Sequence, residues 1–142
     1  MVEIRHTGIV TDNLNKSLRF WCDLLGFKIK KNQIEKGNLL DQIFNYKKVK
    51  VKTIKLSDNK KNLIEILYFY NAPKIKKKKI KPYNIGMTHL SITVKNINNL
   101  YTKLLKNKIR FNSAPQISQD GNVIMTYCMT PEGYYLELVE VL

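Results

Sequence analysis

Gly86-Met87-Thr88-His89-Leu90-Ser91-Ile92-Thr93-Val94 alternates from His89 onward, with His89, Ser91 and Thr93 on one face and Leu90, Ile92 and Val94 on the other. That period of two predicts a strand with an apolar back and a small, polar front carrying one imidazole. The pattern has an echo near the amino terminus. Arg5-His6-Thr7-Gly8-Ile9-Val10-Thr11 places a histidine at the same point of a similar strand. A polar break and a helical pattern follow each strand. The first copy has Asp12-Asn13, then Leu14, Leu18, Trp21 and Leu25; the second has Asn96, then Ile97, Leu100, Leu104 and Leu105. The chain reads as two copies of one unit, each opening with a histidine.

The remaining pattern extends the repeat. Residues 2–11 read as a strand and 13–25 as an amphipathic helix ended by Gly26, a natural left-handed cap. Further strands are expected over 27–34, 49–56 and 63–69, with a turn at Ser57-Asp58-Asn59. Residues 37–47 fit one face of a short helix or a folded loop. In the second copy, strands are expected over 86–94, from Lys108 to Phe111, over 123–129 and over 134–141, with a helix at 97–107 and a turn at Pro131-Glu132-Gly133. Each copy is therefore strand, helix, then three strands. The first occupies 1–70, a lysine-rich linker 71–85, and the second 86–142.

At 142 residues and 44% hydrophobic, the chain suits one domain with a real core. No apolar run approaches the ~18–20 residues that span a bilayer, and the amino terminus lacks a signal-peptide layout. A cytoplasmic protein without membrane partners is expected. Cys22 and Cys128 lie far apart in sequence and read as buried thiols rather than a disulfide or a metal-binding pair. The net charge of +14 comes almost wholly from lysine; Arg5, Arg19 and Arg110 are the only arginines. Arginine suits bidentate phosphate and base contacts, so nucleic acid is not the expected partner. The run from Lys74 to Lys81 reads as a solvated linker, with attraction of an anionic ligand as the alternative.

Two carboxylates interrupt apolar strands. Glu65 lies in the last strand of the first copy and Glu137 in that of the second, while Glu140 points the other way and is expected to be exposed near the terminus. A carboxylate in such a strand is costly unless it is paired, hydrogen-bonded or bound to a metal. It meets a lysine, faces solvent, or serves as a ligand. Its recurrence at matching places, each with a histidine on the first strand, favours the ligand. His6, Glu65, His89 and Glu137 form a mixed nitrogen and oxygen set suited to divalent Fe, Ni, Co, Mn or Zn. Four such ligands on an octahedral cation leave two positions for water or substrate oxygens. Tyr127, Tyr46 and Trp21 read as core or cleft wall.

These residues carry a family resemblance. The duplicated unit with a histidine and a glutamate in each half resembles the vicinal oxygen chelate superfamily, which includes glyoxalase I, methylmalonyl-CoA epimerase, extradiol dioxygenases and the fosfomycin and bleomycin resistance proteins. The most specific matches are His6-Thr7-Gly8-Ile9-Val10 with Phe20-Trp21-Cys22-Asp23-Leu24-Leu25-Gly26-Phe27, and Thr130-Pro131-Glu132-Gly133-Tyr134-Tyr135-Leu136-Glu137-Leu138-Val139-Glu140. Thr130 replaces the family's usual Asp, at a turn rather than at a ligand. The resemblance implies an α+β fold: tandem βαβββ units in an open, curved mixed sheet that cups a metal, with helices on the outer face. It implies metal ligands at His6, Glu65, His89 and Glu137, and a homodimer.

The activity that follows is a glyoxalase-like lyase or isomerase, with the metal chelating two substrate oxygens of a small molecule, neutral or anionic, and a carboxylate moving a proton. Glu137 is the favoured base by this resemblance, and Glu65 the second catalytic candidate. Epimerases commonly carry another side chain at the position of Glu65, which favours the glyoxalase side. Asn71 is a weak match to a glyoxalase Asn-Trp pair. The alternatives are an Fe(II) extradiol-type dioxygenase using His6, His89 and Glu137, and a non-catalytic drug binder like the bleomycin resistance proteins. The absence of a third histidine weighs against the dioxygenase.

Overall fold

Alternation in the strands sorts side chains onto two faces, and the pairing of those strands builds one sheet per repeat. The computed structural model describes residues 1–75 and 78–142. The chain divides into two units, residues 1–76 and 77–142. The lysine-rich linker expected at 71–85 includes Lys76 and Lys77, which lie outside the described residues. No helix among the described residues is long and apolar enough to cross a membrane.

The first unit runs β1 (Thr7–Val10), α1 (Leu14–Leu18), a π-helical turn (Arg19–Leu24), β2 (Lys28–Lys36), α2 (Asn38–Phe44), β3 (Lys50–Ser57) and β4 (Leu63–Phe69). Its sheet has the order β1-β4-β3-β2, with β1 parallel to β4 and the remaining pairs antiparallel. The second unit has β5 (His89–Thr93), α3 (Ile97–Lys106), β6 (Gln116–Ile117), β7 (Val123–Met129) and β8 (Tyr135–Val141). Its order, β5-β8-β7-β6, repeats that of the first, again with one parallel pair, β5 with β8. Two four-stranded mixed sheets with helices, one per unit, make the expected tandem α+β arrangement.

The core of the first unit follows from parity. Ile54 and Leu56 on β3 and Ile64 and Ile66 on β4 are buried, alternating with Lys55 and Glu65. Each such aliphatic side chain contributes about 1.5–3 kcal/mol on burial. Phe20, Trp21 and Phe27 join them, with Trp21 meeting both phenyl rings edge-on at centroid distances of 5.2 and 5.4 Å. Here the structure departs from a continuous helix over 13–25. The Leu25 N–H donates to the Phe20 carbonyl, an i to i−5 bond that widens the turn. A wider turn rotates less per residue, which suits the consecutive, fully buried Phe20 and Trp21. Gly26, at φ +83°, closes the segment as expected.

Other boundaries also differ. The ladder between β1 and β4 covers only Thr7 to Val10, shorter than the expected 2–11. Residues Lys108 to Phe111 do not start a strand; Phe111 makes a single bridge to Cys128, and β6 follows at Gln116–Ile117. Irregular bonds hold this edge instead, from the Asn112 N–H to the Tyr127 carbonyl and from the Met129 N–H to the Arg110 carbonyl. Pro115, just before β6, has no N–H to offer a ladder. The ambiguous stretch 37–47 contains α2. Its Asp41 carboxylate accepts from the Lys48 and Val49 N–H groups at 2.9 and 2.8 Å, and Phe44 packs edge-on against Phe69 on β4.

Glu140 was expected to be merely exposed, and the structure corrects this. It is half-buried, and its Oε2 accepts the Ile97 N–H at the start of α3 at 2.7 Å. Thr130 shapes the turn into β8 as expected: its carbonyl accepts from Gly133 and its N–H donates to the Tyr134 carbonyl. Both cysteines are free thiols, Cys128 buried and Cys22 half-buried.

Candidate functional site

The parallel strand pair of each unit sets a histidine beside a glutamate by the same register. In the first, Gly8 stands opposite Glu65, and His6 lies two residues before Gly8. In the second, Ser91 stands opposite Glu137, and His89 lies two residues before Ser91. Two residues along a strand return a side chain to the same face. Each imidazole therefore lies on the face of its glutamate, displaced by about one side-chain repeat.

The distances follow. His6 Nε2 lies 3.7 Å from Glu65 Oε1, and His89 Nε2 lies 3.9 Å from Glu137 Oε2. Both are too long for a hydrogen bond. Neighbouring donors about 2.1 Å from a shared cation stand roughly 3.0–3.4 Å apart, so each pair is about half an ångström wider than a bound pair and would have to draw together around a metal. The glutamate side chains are only 15% and 13% exposed, against 31% and 38% for the histidines. Sheltered carboxylates with reachable imidazoles make a donor set that fits a divalent N/O-liking metal. The four expected ligands thus come as two pairs, one in each unit. Among the described residues, no group of three or more His, Cys, Asp or Glu side chains gathers as one metal-holding cluster.

Each glutamate has a further neighbour from the adjacent antiparallel strand. Lys55 on β3 is the register partner of Glu65, and its Nζ lies 3.8 Å from Glu65 Oε2. The first carboxylate does meet a lysine, through the oxygen that His6 leaves free. At the equivalent place on β7, Tyr127 is the partner of Glu137. Burial pushes the Tyr127 hydroxyl above its usual range, helped by the Glu137 charge and by a hydrogen bond to that carboxylate. Tyr127 therefore presents a neutral phenol to Glu137. Its ring also stands edge-on to His89 at 5.2 Å and to Tyr135 at 6.1 Å.

Around the second pair, Thr88 Oγ1 sits 3.3 Å from His89 Nδ1, which orients the ring with Nε2 toward Glu137. Tyr135, the register partner of His89, is buried and donates its hydroxyl to the Ile80 carbonyl at 3.2 Å. Asn71 serves the backbone: its amide donates to the Lys48 carbonyl and accepts the Lys50 N–H. Tyr46 donates to the Asn71 carbonyl, and Trp21 is core. Pattern reading leaves Lys55 unnamed and takes Tyr127 as core or cleft wall without setting it beside Glu137. Their signal lay in the hairpins. Lys55 and Glu65 are equidistant from position 60 in the turn between β3 and β4, as Tyr127 and Glu137 are from position 132.

Comparison with known proteins gives this arrangement its relatives. The model of the Glyoxalase/Bleomycin resistance protein/Dioxygenase superfamily matches residues 3–138. A probable lactoylglutathione lyase of Synechocystis sp. is 23% identical over 138 residues, covering 95% of this chain and 92% of that protein. A glyoxalase family protein from Bacillus cereus superposes with a TM-score of 0.89 at 17% identity, over 100% of this chain and 95% of its own. The trypanothione-dependent glyoxalase I of Leishmania major gives 0.70 at 20% identity, over 99% and 87%.

Proposed function

The chain belongs to the Glyoxalase/Bleomycin resistance protein/Dioxygenase superfamily, and from that premise we propose that it is a metal-dependent lyase or isomerase of the glyoxalase kind. The observation that carries the reading is the repeated offset, a histidine two residues ahead of the register partner of a glutamate in both units.

In this proposal His6, Glu65, His89 and Glu137 would hold a divalent cation. Bound there, it supplies Lewis acidity toward two neighbouring oxygens of a small substrate. Glu137 takes a proton from the carbon beside the substrate carbonyl and returns it to the adjacent carbon. Tyr127 holds that carboxylate by its hydroxyl and keeps it oriented. Thr88 holds the His89 ring, and Ser91 keeps the polar front of β5 small beside the pair. A small-molecule substrate and a homodimer belong to the same reading.

A non-catalytic small-molecule binder is the second reading, favoured by the Lys55 ion pair, which satisfies Glu65 without a metal.

The test is metal content and turnover on one preparation. Protein reconstituted separately with Ni, Co, Mn, Zn and Fe(II) is assayed for bound metal and for conversion of methylglyoxal mixed with glutathione or other thiols. Stoichiometric metal with turnover supports the lyase; oxygen uptake with catechols under Fe(II) would replace it by the dioxygenase. Failure to retain any metal would leave the binder.

A further inference from the structure

The two glutamates occupy equivalent places in the repeat, yet their cross-strand neighbours differ in charge. Glu137 faces a neutral phenol, Tyr127. Glu65 faces an ammonium, Lys55. The next residue along that row is also cationic, because Lys31 on β2 is the register partner of Lys55 and shares its face. The row across the first sheet therefore reads Gly8, Glu65, Lys55, Lys31. Lys55 is only 28% exposed at its side chain and Glu65 15%, so solvent screens this pair less than a surface ion pair.

We propose that Lys55 is a built-in rival cation for Glu65: it competes with a divalent metal for that carboxylate and makes the His6–Glu65 pair the weaker, displaceable half of the ligand set. The inference rests on the metal reading above. Glu65 has two oxygens, and both are engaged, Oε1 toward His6 and Oε2 toward Lys55. A divalent cation taking Oε2 must displace an ammonium 3.8 Å away or accept its repulsion, and Lys31 adds like charge behind it. Glu137 has no such rival at its register partner, since the Tyr127 phenol is neutral. The two pairs share one register, and the residue opposite each glutamate divides their roles. Glu137 meets no competing cation at its register partner, while Glu65 shares its carboxylate with one. Lys55 is a positioning residue, acting through Glu65.

Metal affinity tests this without any substrate. Ni(II) and Zn(II) are titrated calorimetrically into the wild-type protein and into Lys55→Met, Lys55→Gln and Lys55→Arg, with circular dichroism to establish folding. Removing the charge should tighten metal binding by about tenfold, the low end of what partners of metal ligands contribute. Lys55→Arg, which keeps the cation, should stay near wild type. Glu65→Ala should weaken binding more in the Lys55→Met background than in the wild-type background. Metal bound equally or more weakly by both neutral variants overturns the proposal and leaves the metal reading standing. No metal bound by any form overturns both.

Discussion

Glu140 at the end of β8 caps a helix that begins 43 residues earlier: its Oε2 accepts the Ile97 N–H at 2.7 Å. The first N–H groups of a helix lack intrahelical partners, and a carboxylate there also meets the positive end of the helix dipole. Asn96, the residue before α3, accepts the Asn99 N–H at 3.2 Å, so two side chains share the task. Glu140→Ala should lower stability by about 1–2 kcal/mol, as loss of a cap does. Glu140→Gln, which keeps an acceptor oxygen, should lose about half of that. Urea denaturation of the three proteins measures it, and an unchanged midpoint in Glu140→Ala would deny the cap its role.

Glu137 and Tyr127 make the second prediction. With the proton moved by Glu137, Glu137→Gln should lower kcat by about 10²–10⁴-fold, the range of general acid–base contributions. Tyr127→Phe removes one hydrogen bond to the same carboxylate and should cost about tenfold. The effects should not add, since Tyr127 acts through Glu137, and the double variant should resemble Glu137→Gln. Steady-state kinetics on whichever substrate the thiol panel reveals checks this; an additive double variant would make the two residues independent.

How far the sequence reached can be judged residue by residue. The histidines and glutamates were legible because alternation alone assigns a face, and the bounds of β4 and β7 matched because their flanking turns are marked by Asp58-Asn59 and Gly121-Asn122. Lys55 and Tyr127 were not, because alternation says nothing of which strand lies beside which. Register depends on the hairpin, whose turn sets which residues meet across the strands. Glu140 was misread for a related reason: parity placed it opposite to Glu137 correctly, but it could not reveal that α3 packs on that face. The segment around Arg110 failed because its bonds are irregular and leave no period. The repeat itself is uneven. The histidines are 83 positions apart and the glutamates 72, so the second unit is 11 residues shorter between them; the first unit spends its extra length around α2.

Trp21 bears on the aromatic core of the first unit. It is fully buried and touches Phe20 and Phe27 edge-on, contacts worth about 0.5–1.5 kcal/mol each beyond burial. Trp21→Ala should destabilise by about 3–5 kcal/mol, while Trp21→Phe should cost much less. As the chain has a single tryptophan, its own fluorescence reports unfolding in wild type, and far-ultraviolet circular dichroism serves for the variants. A loss below about 1 kcal/mol in Trp21→Ala would mean that this cluster is not where the unit's stability resides.

Cys128 carries the pH prediction. Burial pushes its thiol from 9.0 up to about 12, so the folded chain keeps a proton that the unfolded chain releases. A raised value contributes stability that is whole below the unfolded value and is lost as pH rises. The decline should begin near pH 9 and run toward 12, at up to about 1.4 kcal/mol per unit. Cys128→Ala removes the titration and leaves a cavity, so it should be less stable than wild type at pH 8 yet fall less steeply from pH 9 to 11. Urea denaturation of both proteins across that range reads the difference in slope, and parallel slopes would show that Cys128 does not couple proton release to unfolding. A thiol reagent at pH 8 reads the burial behind this shift: Cys128 should react only on denaturation, whereas half-buried Cys22, its own thiol raised by burial and by Asp23, should react slowly in the native protein.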